Sequence, residues 1–93
     1  LWRRFWKSAF HDSLVVNALM KSMTCNQLGG ACDKVFTAAT FEEMAALSQQ
    51  HGKEMFGAQD AAHMAAMNEM MAIMQNGKMD EWMNARKAEF DAL

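Results

Sequence analysis

Proline is absent from this 93-residue chain, and glycine occurs only five times. Both residues interrupt helices, so their scarcity beside plentiful Ala, Met, Glu and Lys favours helical structure. No apolar run reaches the ~20 residues that a membrane span requires. The formal net charge of −2 leaves no basic surface for nucleic acid. We therefore expect a soluble, mostly helical protein without a nucleic-acid partner.

Cysteine is also scarce. Two cysteines are too few for the disulfide framework of a small secreted protein, which predicts a reducing, cytoplasmic location. The chain has no glycine-rich phosphate loop, no His-Glu-x-x-His run and no strand-elbow serine. A domain of this length rarely encloses a substrate pocket, so we predict that the protein is not an enzyme. A nucleophile pair of Cys25 and His51 is the one enzymatic alternative left open.

The first 19 residues differ in charge from the rest, because they carry +2 whereas the remainder carries −4. They also contain an apolar stripe at helical spacing, formed by Trp2, Phe5, Trp6, Phe10 and Leu14. Polar residues interrupt this stripe, which argues against a signal peptide. Two interpretations remain. One is a basic amphipathic helix on a membrane or a partner helix. The other, which we favour, is a segment foreign to the domain, such as an upstream in-frame translation. The domain itself is then expected to span residues 20–93.

A small β-hairpin is predicted over residues 20–38. Met20–Thr24 and Val35–Ala38 are short β-prone runs, and the residues between them include turn-forming Asn, Gln and Gly. Pairing of the two runs would bring Cys25 and Cys32 together across the loop. An isolated two-stranded hairpin is marginal in water, so this one must pack on helices.

Three helices are predicted to follow, over about residues 41–56, 61–75 and 79–92. Thr40 and Glu43 form a capping box for the first helix, and Asp60 is a good N-cap for the second. The inner face of the first helix comprises Phe41, Met44, Leu47, Ser48, His51 and Met55. Short connections make consecutive helices antiparallel neighbours. The predicted fold is therefore α+β and mostly α, a cysteine-bearing hairpin packed on three antiparallel helices.

The second and third helices are rich in apolar residues. The second is apolar nearly all round, which predicts that it is the most buried helix or belongs to an oligomer interface. The buried stripe of the third comprises Met79, Trp82, Met83, Phe90 and Leu93. Together with the methionines, these residues present more apolar surface than one layer of three helices covers. We therefore predict a homodimer through the second and third helices.

The residues from the hairpin to the first helix resemble a known family. They follow the pattern Cys25-x-x-Leu28-Gly29-x-x-Cys32, then Phe36, then Thr40-x-x-Glu43, then His51. Over about residues 23–57 this pattern is similar to a family of small bacterial and archaeal proteins catalogued as a domain of unknown function. The resemblance implies a bacterial protein and brings no known activity. Family members often carry a second histidine five residues after the first, where this chain has Phe56.

Cys25, Cys32 and His51 form the one cluster in the sequence with evident chemistry. Thiolates and imidazoles are the ligands of structural zinc, so these residues predict a site for a thiophilic metal such as zinc. Candidates for the fourth ligand are His63, Asp60, Glu54 and water. Such a site is also expected to be acid-labile, since its ligands must lose protons to bind.

Other interpretations of the same residues remain open. Six residues separate the two cysteines, more than the two to four usual in zinc sites. In one alternative to the metal site, the cysteines act as small buried hydrophobes beside a core histidine. In another, they form a reversible disulfide. The run Met64-x-x-Met67-x-x-Met70 is also compatible with Cu(I), which prefers soft ligands. Its spacing is that of a buried helix face as well, and we favour core or interface packing for it.

Overall fold

The computed structural model describes residues 20–93 of the chain. Its elements are β1 (Lys21–Thr24), β2 (Val35–Ala38), α1 (Phe41–Gly57), α2 (Ala61–Gln75) and α3 (Met79–Asp91), with a short 3₁₀ turn at Asn26–Leu28. Helix accounts for 65% and strand for 11% of the described residues, so the predicted α+β, mostly α fold of a hairpin with three helices is confirmed. The predictions for residues 1–19 lie outside the described residues. Within residues 20–93, no helix is long and apolar enough to cross a membrane.

The hairpin has one buried and one exposed face. The two strands pair antiparallel, with Met23 opposite Phe36 and Ser22 opposite Thr37. Successive side chains of a strand point to opposite faces, so the first pair is buried while the second is exposed. The exposed hydroxyls of Ser22 and Thr37 lie 3.0 Å apart in a cross-strand hydrogen bond. The buried face is therefore the one that packs on α1.

Side-chain caps start the first two helices where the sequence predicts them. The backbone amide of Glu43 donates to the Thr40 hydroxyl over 3.2 Å at the start of α1. The amide of His63 donates to the Asp60 carboxylate over 3.0 Å at the start of α2. Each cap satisfies an amide that has no partner within its own helix. Among the described helices α3 lacks such a cap, although Asp80 and Glu81 place negative charge in its first turn.

The hydrophobic core lies between the hairpin, the start of α1 and the last turn of α3. Its buried members are Met23, Cys25, Leu28, Phe36, Ala38, Phe41, Met44 and Phe90. The rings of Phe41 and Phe90 meet edge to face with centroids 5.9 Å apart. The Lys21 ammonium donates to the Phe90 carbonyl over 3.2 Å, which joins the start of the hairpin to the end of α3.

The prediction that the second helix is the most buried is wrong. His63 is the one buried residue of α2, and Met71 and Met74 are 50% and 59% exposed. The strands are only four residues long, so the hairpin covers α1 and leaves the outer side of α2 uncovered. Leu47 of α1 and Leu93 after α3, both predicted to be inside, are also exposed at 40% and 61%.

Candidate metal centre

Four side chains from three parts of the fold converge on one point. They are Cys25 and Cys32 of the hairpin loop, His51 of α1 and His63 of α2. One ligand atom from each lies within 4.8 Å of all the others. Cys32 is half-buried and the other three residues are buried, so the cluster lies beneath the surface with one side close to solvent.

The hairpin loop brings the two cysteines together through its own backbone. The Cys25 amide donates to the Lys34 carbonyl over 2.8 Å, and the Asn26 amide donates to the Cys32 carbonyl over 3.0 Å. The chain between them turns through the 3₁₀ turn and through Gly29, whose φ of +94° suits glycine and few other residues. The loop therefore holds both thiols on its inner side.

Gly30 is placed against the sulfur of Cys25. A Cβ atom added at Gly30 would lie 2.1 Å from Cys25 Sγ and 3.1 Å from the Cys25 carbonyl oxygen. The Gly30 amide also donates to that carbonyl oxygen over 2.8 Å. Only a residue without a side chain allows the backbone to approach the thiol so closely. The position of Cys25 Sγ therefore depends on glycine at this point of the loop.

The two thiols have different electrostatic environments. Burial raises the pKa of Cys25 above its ordinary value, and hydrogen bonds from the backbone amides of Cys32 and Ala31 oppose that rise. The pKa of Cys32 is lowered, first by the backbone amide of Lys34 and then by the side chains of His63 and Cys25. Backbone amides directed at sulfur stabilise the thiolate, the form that binds metals. The backbone amides of the loop therefore favour the thiolate of Cys32, whereas burial favours the protonated thiol of Cys25.

His51 extends from the buried face of α1 toward Cys32. Its Nε2 atom lies 3.3 Å from Cys32 Sγ, and its ring packs edge to face on Phe36 with centroids 5.6 Å apart. Its Nδ1 atom is buried and has no hydrogen-bond partner among residues 20–93. His51 lies on the same buried face of α1 as Phe41 and Met44.

His63 enters the cluster from the first turn of α2. Its Nε2 atom lies 3.6 Å from Cys25 Sγ, and its ring meets that of His51 edge to face with centroids 5.2 Å apart. Its Nδ1 atom lies 2.6 Å from Oδ2 of Asp60. This hydrogen bond raises the pKa of His63 and lowers the pKa of Asp60.

All three residues predicted from the sequence lie in the cluster, and His63 joins them. His63 was one of four candidates for the fourth ligand. Asp60, another candidate, contacts the far nitrogen of His63 instead of the centre, and Glu54 is exposed on α1 and lies outside the cluster. His63 lies in the first turn of α2, three residues after the N-cap Asp60, and no local signal in the sequence distinguishes these two candidates. Phe56, at the position of the family's second histidine, is 59% exposed.

A cavity of about 310 Å³ borders the cluster. Methionines of α2 and α3 form much of its wall, namely Met67, Met70, Met71, Met74 and Met79. Methionine is unbranched and flexible, so it lines irregular space of this kind without a fixed packing arrangement. The cavity therefore lies between the hairpin loop, α1 and the methionines of α2 and α3.

Comparisons of the chain with protein-family models, curated proteins and solved structures gave no match. The similarity to a family of unknown function therefore stays a prediction from the residues themselves.

Proposed function

We propose that this protein binds one zinc ion through Cys25, Cys32, His51 and His63. The observation that supports the proposal is the convergence of four soft or borderline ligand atoms within 4.8 Å of one another. Two thiolates with two imidazoles are a common ligand set of structural zinc, and tetrahedral S₂N₂ sites favour zinc among the first-row metals. No activity or substrate is required to explain such a cluster.

Two of the separations between ligand atoms match those expected around a zinc ion. Zinc bonds of about 2.3 Å to sulfur and about 2.0 Å to nitrogen place neighbouring S and N ligands of a tetrahedron about 3.5 Å apart. The pair Cys32 Sγ and His51 Nε2 is 3.3 Å apart, and the pair Cys25 Sγ and His63 Nε2 is 3.6 Å apart. Both separations are also compatible with thiol–imidazole hydrogen bonds, so metal analysis has to separate the two explanations.

The role that we propose for the ion is structural. Four protein ligands complete a tetrahedron and leave no position for substrate, which is the pattern of structural rather than catalytic zinc. The ion would join the hairpin loop, α1 and α2. This joint matters most for α2, because His63 is the one residue of that helix that is fully buried. A small domain with so little core gains stability from a metal cross-link.

Metal analysis of the full chain, purified without oxygen and reconstituted with zinc, tests the proposal. We expect one zinc per chain in the wild type and less than half of that in Cys25→Ser, His51→Ala and His63→Ala. Glu54→Gln is the matched control on α1, because Glu54 is an exposed residue outside the cluster. Free zinc at 100 times its Kd should raise the unfolding free energy by about 2.7 kcal/mol. For a domain of this size that corresponds to about 10–20 °C in Tm. The proposal is contradicted if the wild-type protein holds no stoichiometric zinc and added zinc does not change its Tm.

A second candidate function is a helical module that associates with a second copy of the chain. The exposure of Met64, Met71 and Met74 along α2 supports it, since contiguous apolar surface marks interfaces. Sedimentation should then show a dimer that persists when both cysteines are replaced by alanine. A monomer at high concentration would contradict this candidate.

We also propose, from the sequence, that the protein is cytoplasmic and that it belongs to the bacterial and archaeal family that it resembles.

A further inference from the structure

Asp60 makes two hydrogen bonds to one residue through a single oxygen. Its Oδ2 atom accepts the backbone amide of His63 over 3.0 Å and lies 2.6 Å from Nδ1 of the same imidazole. The first bond caps α2, and the second holds the ring that directs Nε2 at the centre. The Asp60 side chain is 44% exposed and that of His63 is 6% exposed. One carboxylate at the surface therefore controls both the helix start and a buried ligand.

The chemistry of a metal-bound imidazole determines which atom donates the proton in the contact between His63 and Asp60. A histidine that binds through Nε2 is neutral, so its remaining proton lies on Nδ1. In His63 that proton points to Asp60, which fixes the tautomer and the orientation of the ring and makes Nε2 a stronger donor to the metal. In His51 the corresponding Nδ1 atom has no partner among the described residues. The two histidines are therefore unequal ligands.

We infer that Asp60 is a positioning residue that couples occupancy of the metal centre to the first turn of α2. This inference rests on the proposed zinc site and goes beyond it, because Asp60 touches no metal. Zinc on Nε2 withdraws charge from the ring and strengthens the bond from Nδ1–H to Oδ2. The same oxygen caps the helix, so zinc binding also orders the amides at the start of α2. Loss of Asp60 should weaken zinc binding even where the cap is kept.

Three variants separate the cap from the imidazole contact. Asp60→Ser keeps a good N-cap, but its shorter side chain does not reach Nδ1. Asp60→Asn keeps both the cap and an acceptor oxygen while removing the charge. Thr40→Ala removes the corresponding cap of α1. Thr40 has no hydrogen bond to a histidine among the described residues, so this variant is the matched control for loss of a cap.

Zinc affinity is measured by competition with a chromophoric chelator in all four proteins. We expect Asp60→Ser to lose about 10–100-fold in affinity, the usual effect of removing the partner of a metal-bound histidine. The zinc affinity of Asp60→Asn should lie between those of Asp60→Ser and wild type. Thr40→Ala should bind zinc within threefold of wild type, although its zinc-free Tm falls. The zinc-free Tm of Asp60→Ser should stay close to that of wild type.

NMR of the zinc-bound proteins gives a readout that loss of helix stability alone would not produce. The Nδ1 proton of His63 should be visible and slow to exchange in the wild type, and absent through fast exchange in Asp60→Ser. An affinity of Asp60→Ser within twofold of wild type overturns the inference and leaves the zinc site intact. An equal loss of affinity in Asp60→Ser and Thr40→Ala also overturns it. A wild type that binds no zinc overturns the proposed function, and this inference with it.

Discussion

Replacing Gly30 with alanine should disable the proposed metal centre, although it replaces none of the four proposed ligands. The new Cβ atom would lie 2.1 Å from Cys25 Sγ, whereas non-bonded heavy atoms settle about 3.5 Å apart or more. The sulfur or the loop must therefore move by about 1.4 Å, the difference between these two distances. Metal–ligand distances tolerate only about 0.2 Å. The displacement exceeds that tolerance several-fold, so Cys25 should no longer bind as it does in the wild type.

The assay is the chelator competition, with Gly57→Ala as its matched control. A Cβ atom at Gly57 meets nothing within 4 Å, and alanine within a helix favours folding by about 0.5–1 kcal/mol over glycine. Gly57→Ala should therefore bind zinc like the wild type and unfold at an equal or higher temperature. Gly30→Ala should bind at least about tenfold more weakly, because loss of even an outer-shell partner of a ligand costs about 10–100-fold in affinity. Equal zinc affinities of Gly30→Ala and wild type would show that the loop does not set the position of the thiol.

Two further predictions concern the core and the pH dependence. Met44 is fully buried, so Met44→Ala should lower the unfolding free energy of the zinc-free protein by about 2–5 kcal/mol in urea titrations. Met71→Ala, at a half-exposed position, should change it by no more than about 0.5 kcal/mol, and similar losses for both variants would contradict the core described above. Zinc-dependent stability should be fully present at neutral pH and disappear as the pH falls, because protons displace zinc from thiolates and imidazoles. A zinc-induced increase in Tm that is as large at pH 5 as at pH 7 would contradict metal binding through these groups.

The elements of this fold were predictable where a signal is local. The Thr40 and Asp60 caps lie next to the helices that they start, and glycine and asparagine mark the turns between elements. The hairpin is indicated by two short β-prone runs on either side of a loop that contains adjacent glycines. Each of these signals depends on residues within a few positions of one another, so a sequence carries them directly.

The degree of burial of α2 was not predictable in the same way. An apolar residue at nearly every position shows that a helix has no polar face, but burial also requires other elements to cover it. Strands of four residues cannot do so. The presence of His63 rather than Asp60 in the cluster had a similar origin. Both lie at the start of α2, and only the path of the chain between α1 and α2 determines which of them faces the thiols.

The position of Phe90 in the core bears on how the protein folds while it is being synthesised. Phe90 packs on Phe41, and its carbonyl accepts a hydrogen bond from Lys21, so the core is closed by one of the last described residues to leave the ribosome. Contacts that are so distant in sequence are costly in chain entropy and form late. Until then the Cys25 and Cys32 thiols and the buried face of the hairpin are exposed in the nascent chain. Under the zinc proposal, an ion bound by the cysteine loop and His51 would hold that segment together until α3 arrives.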